Sequence, residues 1–382
     1  FEAACARIIR EDPGMTQPYI NNGVVAPPDI IQIYRHWPSP FSVRRLDVVV
    51  SEEGPVVNES DEMPGSLVHA YWLDHCYGIN QARWKYALDW LTQQGPLVFA
   101  VSTQWSQPYV TEIAWFVNRL RKLGYAASLV TEKNMRSVHQ KGDQLFLDEM
   151  PIGTVWRQFP IFEADRHFKP FVQAAAQGAI RMVPELASWG NKAWFAAFWQ
   201  HRSAFRARMS TAAQQLLQRT MPPSALFDTT HRFPIGLPQK DASQPWQMFD
   251  SFEDLCRQPT SVIKTLVAKS AGAHERSSRS HGVIIGRTLT VSKWGKALDE
   301  LIDWAGPVVL QRFAKPRLNT LPMVSVLGDK KPKPEVAFQN YMLVRPWYIG
   351  DQLISAIGFA QEANTVKLHG AVTGCEVPID FG

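Results

Sequence analysis

The sequence predicts a mixed α/β fold, and three observations carry that reading. Residues 45–51 and 56–61 are rich in β-branched side chains and flank Glu52-Glu53-Gly54-Pro55, the pattern of an antiparallel strand pair with its turn. Residues 96–102, 111–123 and 125–130 read as strand, helix and strand at the spacing of a small parallel layer. From residue 261 onward, short apolar strands surround one clear amphipathic helix at 292–304.

Length and composition bound the answer. A chain of 382 residues favours more than one domain, or one large unit with insertions. Its 45% hydrophobic and 20% charged residues are ordinary globular usage, which excludes a disordered or membrane-embedded class. No apolar run approaches the ~20 residues of a membrane span. The net charge of +5 is small for this length and suits anionic ligands such as nucleotides. The 14 Trp residues are scattered and form no base-stacking motif, which speaks against a nucleic-acid partner. Cys5, Cys76, Cys256 and Cys375 form no C-x-x-C pair and read as reduced, mostly buried thiols. No secretory signal is visible, so a cytoplasmic placement is the expectation. Nothing in the sequence speaks to oligomeric state.

Taken in order, the entry to the chain carries Pro18, Pro27, Pro28, Pro38 and Pro40, and is expected to be mostly extended or turn. The strand pair follows, then a helix over residues 80–93. Strands are expected at 96–102, 125–130, 143–148 and 152–156, with the helix at 111–123 ended by Gly124. Residues 194–218 read as helical, and a Pro-rich irregular stretch leads to about residue 260. Strands at 263–269, 282–286, 307–311 and 341–345 complete the chain. These stretches group into segments 1–94, 95–185 and 186–382.

Five clusters carry candidate chemistry. Glu59 and Asp61 are two apart on one strand and so share a face, and Asp47 on the neighbouring strand is placed to join them. Three carboxylates there repel unless a hard cation sits between them; the same residues also read as a solvated acidic turn. Lys269 ends a strand and is followed by Ser270, Ala271, Gly272 and a polar loop to His281. Such a loop offers backbone N–H groups and hydroxyls to phosphate oxygens, or is an ordinary hairpin tip. With only Gly272 and Gly282, it is no Walker A motif. Gln311, Arg312 and Phe313 close an apolar strand and read as a hinge against a flat base or as plain core. Asn191-Lys192 opens a helix, where a lysine is unfavourable with the helix dipole unless it reaches an anion; a surface lysine is the other reading. Arg157 and Arg345 stand at the ends of apolar strands, as bidentate clamps for carboxylate or phosphate or as salt-bridge partners.

In this order the clusters resemble the ATP-grasp superfamily. More narrowly they resemble its circularly permuted branch, which includes glutathionylspermidine synthetase-like proteins. The superfamily ends on an acidic residue, a strand bearing Glu-x-Asn, and Pro-Gly; here Asp47, Glu59-Ser60-Asp61 and Met63-Pro64-Gly65-Ser66 supply that ending near the start of the chain. Its first half, Asn191-Lys192, Lys269 with its loop, and Gln311-Arg312-Phe313, comes last. Leu368-His369-Gly370 is similar to the same branch. The sequence departs from the pattern at Asp61, where Asn is usual, and at Ser270, where Pro is frequent.

The resemblance implies an ATP-grasp fold in permuted order with an additional α/β domain. Residues 1–94 then carry the metal-site part, 95–185 a substrate-side domain, and 186–382 the nucleotide-binding part. It implies a carboxylate–amine ligase that uses ATP and Mg²⁺ and works through an acyl phosphate. Asp47, Glu59 and Asp61 would hold Mg²⁺. Lys192, Lys269, Ser270 and Gly272 would contact the phosphates, and Gln311, Arg312 and Phe313 would frame the adenine. Arg157 and Arg345 would hold the acyl phosphate or the incoming carboxylate. The partners are then a small-molecule carboxylate and an amine. The two departures keep a second expectation open, a relative that binds nucleotide or serves as a scaffold without turnover.

Overall fold

A computed structural model describes residues 1–20, 26–35, 37, 42–61, 63–186, 192–228, 233–239, 244–272, 282–323, 336–363 and 375–381. The fold is mixed α/β, with several sheets and helices packed against them.

The acidic strand pair is real and belongs to the largest sheet. Val43–Ser51 and Gly54–Asp61 pair antiparallel, and Val43–Ser51 also pairs with the long strand Val336–Ile349. Gln352–Glu362 and Cys375–Pro378 continue the sheet, and Leu318–Met323 pairs with the far end of Val336–Ile349. Along Val43–Ser51 the odd-numbered residues are buried and the even-numbered ones half-buried, the two-residue period of a sheet with one covered face. Arg45 and Asp47 therefore point inward.

The parallel layer forms as expected. Leu97–Val101 lies between Ala127–Thr131 and Thr154–Gln158, with Arg181–Val183 beyond, all parallel. The helix Gln107–Lys122 makes the crossover, and Gly124 ends its turn at φ +88°. One core joins this layer to the large sheet through Phe99, Phe116 and Trp156 on one side and Val43, Trp347 and Ile357 on the other.

A second antiparallel sheet orders Ser224–Phe227, Val308–Arg312, Leu266–Ser270 and Val283–Ile285. Its face bearing Leu266, Ala268, Val308 and Leu310 packs on the helix Val291–Ala305. Alternation turns Lys269 and Gln311 to the opposite face.

The entry to the chain differs from expectation. Glu2–Glu11, Pro13–Ile20 and Pro28–Arg35 are helices. Pro13 and Pro28 occupy the first helical position, where a missing N–H costs nothing and the fixed φ suits the helix. A helix also runs over Leu67–Tyr77, where none was expected. The expected helix at 194–218 is split into Ala193–Gln200, Arg202–Arg206 and Thr211–Thr220. Among the described residues, no helix is long and apolar enough to cross a membrane.

Candidate functional site

The site is built where the large sheet meets the second sheet. Register puts Asp47 directly opposite Glu59, and Arg45 opposite Asp61, so all four share the inward face. Between Asp47 and Val48 the register slips: Val48 pairs with Val57, which leaves Asn58 as the extra residue of a β-bulge. An unpaired bulge residue keeps its carbonyl available. Lys269, reaching across from the second sheet, donates to both the backbone carbonyl and the side-chain Oδ1 of Asn58, each at 2.8 Å.

Lys192 arrives from a third direction. It caps the helix Ala193–Gln200, and its Nζ lies 2.6 Å from Glu59 Oε1. The unfavourable placement of a lysine at a helix start is thus offset by a carboxylate within reach. Acids from the early chain and lysines from the late chain converge.

The carboxylates are matched by cations throughout. Arg345 grips Asp47 in bidentate fashion, Nε to Oδ1 at 3.1 Å and Nη2 to Oδ2 at 3.3 Å. Arg45 lies 3.2 Å from Asp47 and 2.5 Å from Asp61, and also donates to the carbonyl of Gly65 at 2.9 Å. Asp61 accepts in addition from the Met63 amide at 3.0 Å. Asp47, Arg45 and Arg345 are buried, and Arg345 rests on the Phe359 ring at 4.3 Å.

Burial and charge act against each other here. Burial lowers the Lys269 ammonium to about 8, although Glu59 favours its charged form. Burial tends to raise the Glu59 carboxyl, but the attraction of Lys192, joined by Lys269, leaves it below the ordinary value. Burial likewise opposes the Arg45 charge, and Asp47 and Asp61 more than compensate.

The remaining candidates fall into two groups. Gln311 is buried on the Lys269 side of its sheet, and its Nε2 has no hydrogen-bond partner among the described residues. Arg312 alternates to the other side, donates to Thr265 Oγ1 at 3.2 Å and has its charge disfavoured by burial. Phe313 follows beside Arg287, whose guanidinium stands 5.7 Å from its ring. Ser270 is buried, its amide donating to the Gly282 carbonyl at 2.8 Å. Gly272 is the last described residue of the loop; residues 273–281, like Asn191 and residues 368–370, lie outside the described residues.

Two expectations change. Arg157 is buried and donates to the carbonyls of Phe159, Pro184 and Glu185, so it organises the segment that leads towards Lys192. Asp61 is held by Arg45 and the Met63 amide, as Asp47 is by Arg45 and Arg345, and register makes Asp47 and Glu59 the directly facing pair. Among the described residues, no three His, Cys, Asp or Glu side chains gather into a metal cage. The donor chemistry still fits Mg²⁺, which takes one or two carboxylates and completes its shell with phosphate oxygens and water.

Sequence reasoning missed Arg45 and Asn58. Arg45 was legible in principle, two residues before Asp47 on the same strand. Tyr109 lies against Gly65, where an added Cβ would collide with its ring, and its phenol is raised chiefly by burial, with Arg45 acting against this. Further polar groups line the C-terminal ends of the parallel strands. Gln158 Nε2 and Ser106 Oγ are buried without hydrogen-bond partners among the described residues, while Glu163 Oε2 lies 4.0 Å from His167 Nε2 and Trp105 Nε1 donates to Glu163 Oε1 at 3.3 Å.

No family model and no curated protein matches this chain. Among solved structures, the chain is similar to a glutathione synthetase-like effector from Globodera pallida. The identity is 10% over 84% of this chain and 74% of that one, with a TM-score of 0.45. It is also similar to a protein from Methylobacillus flagellatus KT described as a gamma-glutamylcysteine synthetase, at 9% identity over 97% and 84% of the two chains, TM-score 0.47. A third is D-alanyl-alanine synthetase A from Vibrio cholerae O1 biovar eltor, at 12% identity over 70% and 85%, TM-score 0.32. Likeness at this level carries no argument about activity; only the side chains of the site can supply one.

Proposed function

We propose that this chain is an ATP-dependent carboxylate–amine ligase built on a permuted ATP-grasp fold. The observation that carries the reading is the convergence of Lys192 and Lys269 on the Asn58–Glu59 segment, beside the Asp47–Glu59 carboxylate pair. Two lysines over two facing carboxylates match the needs of a triphosphate and its metal: cations for the phosphates and hard oxygen donors for the ion. Gln311, buried with an orphan amide on the same side of its sheet, is suited to a base edge.

In this reading, Lys192 and Lys269 orient the phosphates and neutralise their charge. Mg²⁺, when bound by Asp47 and Glu59, supplies further charge neutralisation at the phosphate oxygens. A substrate carboxylate attacks the γ-phosphorus, the bond to the β-phosphate oxygen breaks, and ADP leaves. The amine then attacks the acyl carbon and releases phosphate. Arg45 and Arg345 place two guanidinium groups beside the reaction centre for the anionic acyl phosphate; positioning and electrostatics carry most of such a reaction. We assign the acceptor to residues 95–185, where Gln158 Nε2 and Ser106 Oγ have no hydrogen-bond partner among the described residues and lie near the strand ends, the usual ligand edge of a parallel sheet. Arg157 is a positioning residue here, since it fixes the Pro184–Glu185 backbone.

The test is ADP release from Mg·ATP with panels of short carboxylates and amines, together with hydroxylamine trapping of the acyl phosphate as a hydroxamate. Carboxylate-dependent hydroxamate formation, lost on the order of 10²–10³-fold in Glu59→Gln, is the expected result. Absence of nucleotide binding at millimolar ATP would overturn the reading.

A further inference from the structure

The pairing of every acid in the site with a cation has a consequence for how ligands enter. Asp47 lies between Arg45 and Arg345, Asp61 is held by Arg45, and Glu59 by Lys192. With Lys269 close by, three carboxylates face four cationic side chains, an excess of one positive charge. A bare divalent cation meets both a repulsive cluster and oxygen lone pairs that are already engaged. Nucleotide phosphates carry several negative charges and reverse the sign of that field.

The four cations are not equivalent. Arg45, Arg345 and Lys269 are buried, but the Lys192 side chain is 22% exposed and stands at the start of the helix Ala193–Gln200. Its single ammonium holds Glu59 through one contact, whereas Arg345 holds Asp47 through two. Of the site's cations, Lys192 is the most exposed.

We propose that Lys192 is a placeholder for the metal: it occupies Glu59 in the nucleotide-free protein, and transfers to the phosphates as the ion takes its place. Metal and nucleotide then bind with strong positive coupling, and the metal alone binds weakly. This rests on the reading of the site as a nucleotide–metal site, and adds to it a role for one residue in the order of binding.

Protein-bound Mn²⁺, obtained by electron paramagnetic resonance of free Mn²⁺ and corrected for the complex that the analogue forms with Mn²⁺ in solution, reads this without turnover. In the unaltered protein, Mn²⁺ affinity is expected to rise by about tenfold or more when a non-hydrolysable ATP analogue is present. Lys192→Met is expected to tighten Mn²⁺ binding without nucleotide by about tenfold and to reduce the coupling by a similar factor. Glu59→Gln, which keeps the side chain's shape and frees Lys192, serves as the second variant. It is expected to bind the metal-free analogue in EDTA at least as tightly as the parent, and to lose Mn²⁺ coupling. Equal Mn²⁺ affinity with and without the analogue, or a Lys192→Met protein with unchanged coupling, overturns the placeholder role and leaves the ligase reading standing. Failure of the unaltered protein to bind the analogue at all overturns both.

Discussion

Lys269 Nζ donates to Asn58 twice, to its carbonyl and to its Oδ1, each at 2.8 Å, and so ties the second sheet to the bulge of the first. A buried lysine held by neutral acceptors keeps its charge undelivered until an anion arrives. Lys269→Met keeps the stem and removes the ammonium. Nucleotide affinity or ATP turnover is expected to fall on the order of 10²-fold or more, as for other preorganised electrostatic contacts. Circular dichroism should remain that of the parent. A folded Lys269→Met protein with full nucleotide binding would sink the assignment.

Much of this arrangement was legible in the sequence, and the limits have physical causes. Two-residue alternation placed Asp47, Glu59 and Asp61 on one face, and register bears that out. Sequence could not show that a bulge at Asn58 would present a second acceptor to Lys269, because a bulge depends on the pairing of two strands. Nor could it show that Arg345, far along the chain, would bind Asp47. Arg45 was within reach, since the same alternation that aligned the acids aligns it with them. At the N-terminus Pro28 misled, because Pro at the first helical position opens a helix as readily as an internal Pro breaks one, whereas Pro18 lies inside the helix Pro13–Ile20. The helix Leu67–Tyr77 escaped notice because six of its eleven residues are buried on more than one side, which erases the amphipathic period.

Asp47 makes a stability prediction. It is a buried carboxylate between two buried guanidinium groups. Asp47→Asn removes the shared counter-charge, leaving Arg345 uncompensated and Arg45 with Asp61 alone, a change that typically costs about 3–5 kcal/mol. Arg345→Met alone should also destabilise, because Asp47 then relies on Arg45. The double variant should be clearly less destabilised than the sum of the singles. Urea unfolding of the four proteins checks this, and additive effects would show that Asp47 and Arg345 do not interact.

Gly153 is fixed by space and not by conformation. It sits where the hairpin Gln144–Leu147 and Met150–Pro151 leads into the strand Thr154–Gln158, and its amide donates to Pro96 at 3.0 Å. A Cβ built there would run into the backbone of Gln94 and Gly95, which cannot rotate away. Gly153→Ala is therefore expected to destabilise by about 1–3 kcal/mol, the usual range for overpacking. Gly142→Ala, at a turn with open space but φ +62°, should cost less. Thermal denaturation of the pair separates the two causes, and a Gly153→Ala protein as stable as the parent would contradict the contact.

His69 gives the chain a pH dependence of predictable sign. It sits on the helix Leu67–Tyr77, with Nδ1 3.4 Å from Glu376 Oε2 and Nε2 3.6 Å from Glu112 Oε1. The hydrogen bond to Glu376 raises the imidazole above its ordinary 6.5, against some loss from burial. A histidine raised on folding stabilises fully below its unfolded value, and that contribution disappears as pH climbs through the folded one. Glu112 is raised by burial, so its ionisation also erodes stability with rising pH, but from its ordinary 4.5 upward and hence in a lower window. His69→Gln should therefore be less stable than the parent near pH 6, and the gap in Tm should close by about pH 8.5. The same scan on Glu376→Gln should show a gap to the parent with the same pH trend, because its His69 has lost the main cause of its raised value. A His69→Gln gap that is flat with pH, or that widens as pH rises, would mean that the imidazole is not the charged link between this helix and the strand Cys375–Pro378.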